Sequence, residues 1–142
     1  MKLAQIFVSR EAWQLLSTLK MPPHTAYKLL KYVKRVDAEF ELIEAQRQKL
    51  VKELIEQKQA RLMAEGVEIT EEDKDSLKPR DPEYMQFAGP EGFGGVLETE
   101  SDLKPFSQTM DFILDLAGKE AGNLLAARDL GLLEPFFEEP KA

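Results

Sequence analysis

The 142-residue chain has no cysteine and a single histidine, His24. The lack of cysteine excludes disulfides, thiolate catalysis and Cys-ligated zinc. One histidine excludes sites that need two imidazoles, so any Ser-His-Asp arrangement would depend on His24 alone. No run approaches the roughly 20 apolar residues of a membrane-spanning helix, and residues 1–10 lack the features of a signal peptide. These absences favour a cytoplasmic, non-catalytic protein that needs neither metal nor cofactor and does not bind membranes.

Charge is distributed unevenly along the chain, although the net charge is only −7. Residues 1–36 carry seven basic side chains against one acidic side chain, a net of +6. Residues 37–78 hold seven basic and twelve acidic side chains, and residues 79–142 hold five and thirteen, so the remainder is net −13. Segregated charge of this kind steers and orients binding partners.

The pattern predicts a single α+β domain over residues 1–142, mainly helical with a small antiparallel sheet. Residues 2–8 are rich in β-favouring side chains and predict a strand. Residues 84–87 and 96–99 predict two further strands around the Gly-rich connection at 88–95.

Helices are predicted between and after these strands in the sequence. Ser9 is a good N-cap for a helix over residues 10–20. Toward the C terminus we expect helices over 108–117 and 119–130, although residues 111–116 could instead form a buried strand.

A long helix over residues 23–65 is the clearest predicted element. Mostly apolar side chains recur in steps of four and three over residues 29–54, and the later heptad positions are Gln57 and Arg61. Gly66 stands where a C-cap belongs. About 40 residues at 1.5 Å each make a rod of roughly 60 Å, which is longer than a domain of this size. We therefore expect the distal half to project or to bind a partner.

Four basic side chains lie near the start of this helix, with aromatic side chains between them: Lys28, Lys31, Lys34 and Arg35, with Tyr27 and Tyr32. The spacing places the cations on one helical face, which predicts a site for an acidic protein surface or for phosphates. The acidic remainder of the chain repels a long duplex, which argues against direct nucleic-acid binding. The alternative is a lysine-rich face that only keeps the helix solvated.

Two apolar features are further candidates for partner binding. The loop at residues 89–95 lacks the lysine of a phosphate-binding loop, so we predict a hairpin connection with Phe93 as a contact residue at its tip. Leu133, Phe136 and Phe137 form an apolar patch near the C terminus, which either packs in the core or docks on a partner.

Acidic residues offer weaker candidates for chemistry. The run of Glu71, Glu72, Asp73 and Asp75 lacks the spacing of a calcium-binding loop and predicts a solvated turn, which Thr70 could cap as one helical turn. Asp111 and Asp115, on consecutive turns of the helix predicted there, are the nearest candidate for a catalytic carboxylate pair. An enzyme would need such a pair or a bound metal.

Residues 26–54 (AYKLLKYVKRVDAEFELIEAQRQKLVKEL) resemble the small helical proteins encoded by tailed bacteriophages, and residues 133–139 (LEPFFEE) resemble the end of the same group. Some small acidic phage proteins bind host RNA polymerase and redirect transcription. The resemblance therefore implies a regulator that binds host RNA polymerase or its sigma factor in the host cytoplasm. A phage head or tail assembly factor, or a self-associating coiled coil such as a homodimer, is the alternative.

Overall fold

The computed structural model describes residues 1–108, 111, 113 and 126–138, and these residues are mainly helical. The α-helices are α1 Leu3–Val8, α2 Arg10–Leu16, α3 Pro23–Ala64, α4 Glu71–Asp75, α5 Pro82–Ala88, α6 Phe93–Leu97 and α7 Ala127–Leu133, and a 3-10 turn follows at Glu134–Phe136. The mainly helical prediction is confirmed, and the long helix predicted over 23–65 is observed as α3. The helices predicted over 108–117 and 119–130 fall largely outside the described residues.

The predicted α+β class and its antiparallel sheet are wrong. Over the described part of the chain the β-type pairing consists of two isolated bridges, between Lys2 and Glu100 and between Phe106 and Phe137. Residues 3–8 form α1 instead of a strand, because Leu3, Ile6 and Phe7 follow helical rather than alternating spacing. Ile6 is fully buried by this arrangement.

The other two predicted strands also belong to helical segments. Residues 84–87 lie in α5, which begins with a proline at its first position, where the missing N–H costs nothing. Residues 96–99 contain the end of α6 and the turn after it. Two glycines in this segment allow one stretch of backbone to lie close to another. A Cβ at Gly94 would collide with the carbonyl oxygen of Ala88, and a Cβ at Gly95 with that of Pro90. This Gly-rich segment thus links two short helices and is not a hairpin.

Two compact units make up the chain, and the boundary between them falls inside α3. Unit 1 combines Met1–Phe40 with the described residues from Glu100 onward, and unit 2 is Glu41–Thr99. The two segments of unit 1 meet at the N terminus, where the Met1 amino group lies 2.9 Å from Glu100 Oε2.

An aromatic cluster forms the centre of unit 1. The Trp13 ring on α2 lies edge-on to Phe136 at 5.2 Å between centroids, and stacks on Phe137 at 5.8 Å. Tyr32 of α3 lies 5.6 Å from Trp13 and 5.4 Å from Phe106. The cluster joins the two sequence segments of this unit through ring contacts, which are worth about 0.5–1.5 kcal/mol per pair beyond the burial of their area.

Unit 2 packs around the second half of α3. Ile43, Leu54 and Leu62 are buried along the helix, and Phe93 of α6 is buried against Phe87 with their rings stacked at 5.4 Å. The acidic run at 71–75 forms the short helix α4, as its capping pattern predicted. The Thr70 side chain accepts a hydrogen bond from the Asp73 amide, and Asp73 Oδ2 accepts one from the Thr70 amide.

Candidate protein-binding surface

The basic residues near the start of α3 are exposed. Lys28, Lys31, Lys34 and Arg35 all face solvent, and the described carboxylates form no ion pair with any of them. At about 100° per residue they occupy one arc of the helix, opposite the buried side chains of Leu29 and Val36.

Large apolar side chains lie among these cations. Tyr27 is 58% exposed and Leu30 is 50% exposed. The Lys31 ammonium lies 4.9 Å from the centroid of the Tyr27 ring, within cation–π range. We call the set of Tyr27, Lys28, Leu30, Lys31, Lys34 and Arg35 the basic face.

An apolar slot adjoins the basic face within unit 1. It has a volume of about 210 Å³ and is formed by the connection after α2 and the first turns of α3. Leu19, Met21, Ala26 and Leu29 line it, and Leu30 belongs both to the slot and to the basic face. Charged and apolar recognition elements therefore lie side by side.

Tyr32 does not belong to this exposed surface. Its side chain is buried, and its hydroxyl donates a hydrogen bond to the Lys104 carbonyl at 2.8 Å. Burial raises the pKa of Tyr32 to about 12, and the nearby Arg35 opposes this rise only in part. Tyr32 thus holds the base of α3 in the core and is not available for binding a partner.

The apolar candidates for partner binding are buried as well. Leu133 and Phe136 are fully inaccessible to solvent, and Phe137 is nearly so. Phe93 lies in the interior of unit 2 and not at a loop tip. Of the two interpretations of the C-terminal patch, core packing is the one observed. Of the residues predicted to bind a partner, Lys28, Lys31, Lys34 and Arg35 are the exposed ones.

The sequence interpretation missed a charged cluster in unit 2, formed by Lys58, Arg61, Asp73, Asp81 and Glu83. Lys58 Nζ lies 3.1 Å from Asp73 Oδ1 and 2.7 Å from Asp81 Oδ2, and the lysine is only 1% exposed. Arg61 Nε donates to Glu83 Oε1 at 2.8 Å. We call this set the Lys58 cluster. A usable signal was present, since Lys58 lies four residues from both Leu54 and Leu62 on the buried stripe.

The Lys58 cluster fixes the charge of its members. Hydrogen bonds from Thr70 and then from Lys58 lower the pKa of Asp73, and the Arg61 hydrogen bond lowers that of Glu83. Burial opposes ionisation of Asp81, but hydrogen bonds from Lys58 and the Lys78 amide outweigh it and lower its pKa. Burial likewise opposes the charge of Lys58, and its two aspartates outweigh this and raise its pKa. The cluster is therefore a set of ion pairs between α3 and residues 73–83, and the shifts of these pKa values all favour its charged form.

The carboxylates of the Lys58 cluster should make the free energy of unfolding decrease in acid. Their pKa values lie below the ordinary 3.8 of Asp and 4.5 of Glu, so the unfolded chain takes up protons first as the pH falls. We expect the urea midpoint, followed by circular dichroism, to decline between about pH 5 and pH 2, and to decline less in Asp81→Asn. The exposed Glu56→Gln variant should follow the unmodified protein, and identical profiles for all three proteins would contradict this role of the cluster.

Comparison of the chain with protein-family models, curated proteins and solved structures finds no match. Within the described ranges no helix is long and apolar enough to cross a membrane. The same residues contain no group of three or more acidic or histidine side chains placed to hold a metal ion. The carboxylate pair suggested at Asp111 and Asp115 lies partly outside the described residues, since only Asp111 is among them.

Proposed function

We propose that the chain is a non-catalytic regulator that acts in the cytoplasm by binding another protein through the basic face. The observation that carries this proposal is the group of four exposed cations without carboxylate partners among the described residues, with Tyr27 and Leu30 exposed between them. A partner surface with Asp or Glu around an apolar side chain complements this arrangement.

The apolar components distinguish a binding face from one that only solvates the helix. Solvation needs lysines alone, whereas here Tyr27 and Leu30 expose half or more of their side chains beside an open apolar slot. Aromatic side chains and arginine are enriched where binding energy concentrates in protein interfaces. Leu30 and the slot supply apolar contact, and the cations supply orientation and a fast, salt-sensitive association.

Host RNA polymerase or its sigma factor is the partner that we propose, on the strength of the resemblance of residues 26–54 to small phage proteins. The basic face supports a protein partner in general. The choice of polymerase rests on the resemblance and is tested separately.

Reversal of two charges on the basic face should weaken partner binding by about tenfold, because attraction to an acidic surface becomes repulsion. The variant is Lys28→Glu/Lys31→Glu, and its matched control is Lys49→Glu/Lys52→Glu, which reverses two exposed lysines of unit 2. The measurement is capture from bacterial lysate at two salt concentrations, with all recovered proteins, polymerase subunits among them, quantified by mass spectrometry.

Equal recovery by both variants would overturn the role of the basic face. Recovery of no polymerase subunit by the unmodified protein would overturn the proposed partner. Circular dichroism of both variants checks that they fold, which we expect because the four lysines are exposed.

A further inference from the structure

Unit 2 contains an open groove of about 550 Å³, formed by α3, α5 and the Gly-rich connection after α5. Leu50 and Leu54 of α3 supply its apolar floor, and Met85 and Pro90 supply an apolar wall. Met85 is 73% exposed, so a long, flexible side chain is left in solvent beside the floor. Methionine at such a position adapts to apolar groups of varied shape.

The charges that line this groove are all of one sign. Glu53 on α3 and Glu91 on the connection both line it and are exposed, and no lysine or arginine is among the lining residues. Neither glutamate forms an ion pair with a cation of the described residues. Unit 2 as a whole has fourteen acidic and eight basic side chains, so its surroundings reinforce this negative potential.

The dimensions of the groove limit its occupant to a short segment. Leu50 to Gln57 spans about 10 Å of α3, which corresponds to two turns of a docked helix or about three residues of extended chain. Its volume lies within the roughly 300–1,000 Å³ of pockets that hold drug-sized ligands, so a few side chains of such a segment fill it. An apolar side chain would cover the Leu50–Leu54 floor, and neighbouring cations would reach Glu53 and Glu91.

We propose that this groove is a docking site for a short basic segment of a partner protein, in which Lys or Arg flanks an apolar anchor. The site is separate from the basic face and prefers the opposite charge. It does not depend on the function proposed for unit 1. The chain would thus carry one surface for acidic segments and another for basic segments.

Methionine methyl NMR of the full chain tests this proposal. Met85 reports on the groove and Met21 reports on the slot of unit 1, with assignments from Met85→Leu and Met21→Leu. The probe is a 12-residue amphipathic peptide of leucine and lysine, and its partner probe has glutamate in place of every lysine. We expect the lysine peptide to shift the Met85 resonance saturably and the glutamate peptide to leave it unchanged.

Charge reversal gives the matched comparison. Glu53→Lys/Glu91→Lys should weaken binding of the lysine peptide by at least about tenfold. The control is Glu56→Lys/Glu68→Lys, which changes two exposed glutamates outside the groove. Its affinity for the lysine peptide should stay within about twofold of that of the unmodified protein. The proposal is overturned by a Met85 resonance that ignores the lysine peptide, by equal weakening in both variants, or by equal binding of the glutamate peptide. A Met85 shift that follows protein concentration without peptide would assign the groove to a second copy and also overturn it.

Discussion

Replacement of Phe136 with alanine should lower the free energy of unfolding by about 3–5 kcal/mol. The side chain is fully buried and lies edge-on to Trp13 at 5.2 Å between ring centroids. Its loss leaves a cavity in the aromatic cluster of unit 1 that rigid neighbours cannot fill. Urea denaturation followed by fluorescence measures the effect directly, because Trp13 is the only tryptophan of the chain.

A comparison variant separates core packing from general sensitivity to truncation. Val8→Ala removes two methyl groups from a side chain that is 54% exposed, and should change the free energy of unfolding by less than about 1 kcal/mol. If Phe136→Ala unfolded at the same urea concentration as the unmodified protein, its placement in the core would be refuted. The C-terminal aromatic residues would then be free to act as a docking segment.

Replacement of Lys58 with methionine should destabilise unit 2 by about 3 kcal/mol. Methionine preserves most of the buried stem but removes the ammonium group that lies between Asp73 and Asp81. It also removes a donor to the Ser76 carbonyl at 3.3 Å. Two shielded carboxylates then lack their main countercharge. We expect the thermal transition at 222 nm to fall by roughly 10 °C.

Two further variants test whether this effect comes from the ion pairs of the Lys58 cluster. Lys52→Ala alters an exposed lysine of the same helix and should leave the transition within about 2 °C. Addition of Asp73→Asn and Asp81→Asn to Lys58→Met should restore much of the lost stability, because neutral amides tolerate burial without a cation. A triple variant no more stable than Lys58→Met alone would argue against a charge effect and for simple loss of packing.

The long helix was predictable because its signal is local and uninterrupted. No Gly or Pro lies inside residues 24–64, and Gly66 follows with a positive φ of 70°, the conformation that ends helices. The capped turn at Thr70 was predictable for the same reason. The exposure of Lys28 and Lys31 was predictable as well, because helical spacing places both lysines on the face of α3 away from the buried Leu29 and Val36.

The errors arose where short segments depend on their tertiary surroundings. Residues 3–8 and 84–87 contain β-favouring side chains, but segments this short take the conformation that buries their apolar face best. Phe93 was predicted at a loop tip, and Phe136 was left open between core packing and docking, because no local pattern distinguishes an exposed aromatic ring from a buried one. The place of Lys58 on the buried stripe was derivable from the spacing. Its carboxylate partners were not, because they come from residues 73–83, and pairing over such a distance follows only from the fold.

The division of the chain into units has a consequence for the order of synthesis. All residues of unit 2, Glu41–Thr99, are synthesised earlier and leave the ribosome earlier than the second segment of unit 1. Trp13 on α2 meets Phe136 and Phe137 only after those residues emerge. The side of Trp13 that packs on Phe136 and Phe137 therefore stays uncovered at a stage when all residues of unit 2 are already present. Nascent chains of this protein therefore pass through a stage in which unit 2 is complete while unit 1, which was begun first, still lacks its second segment.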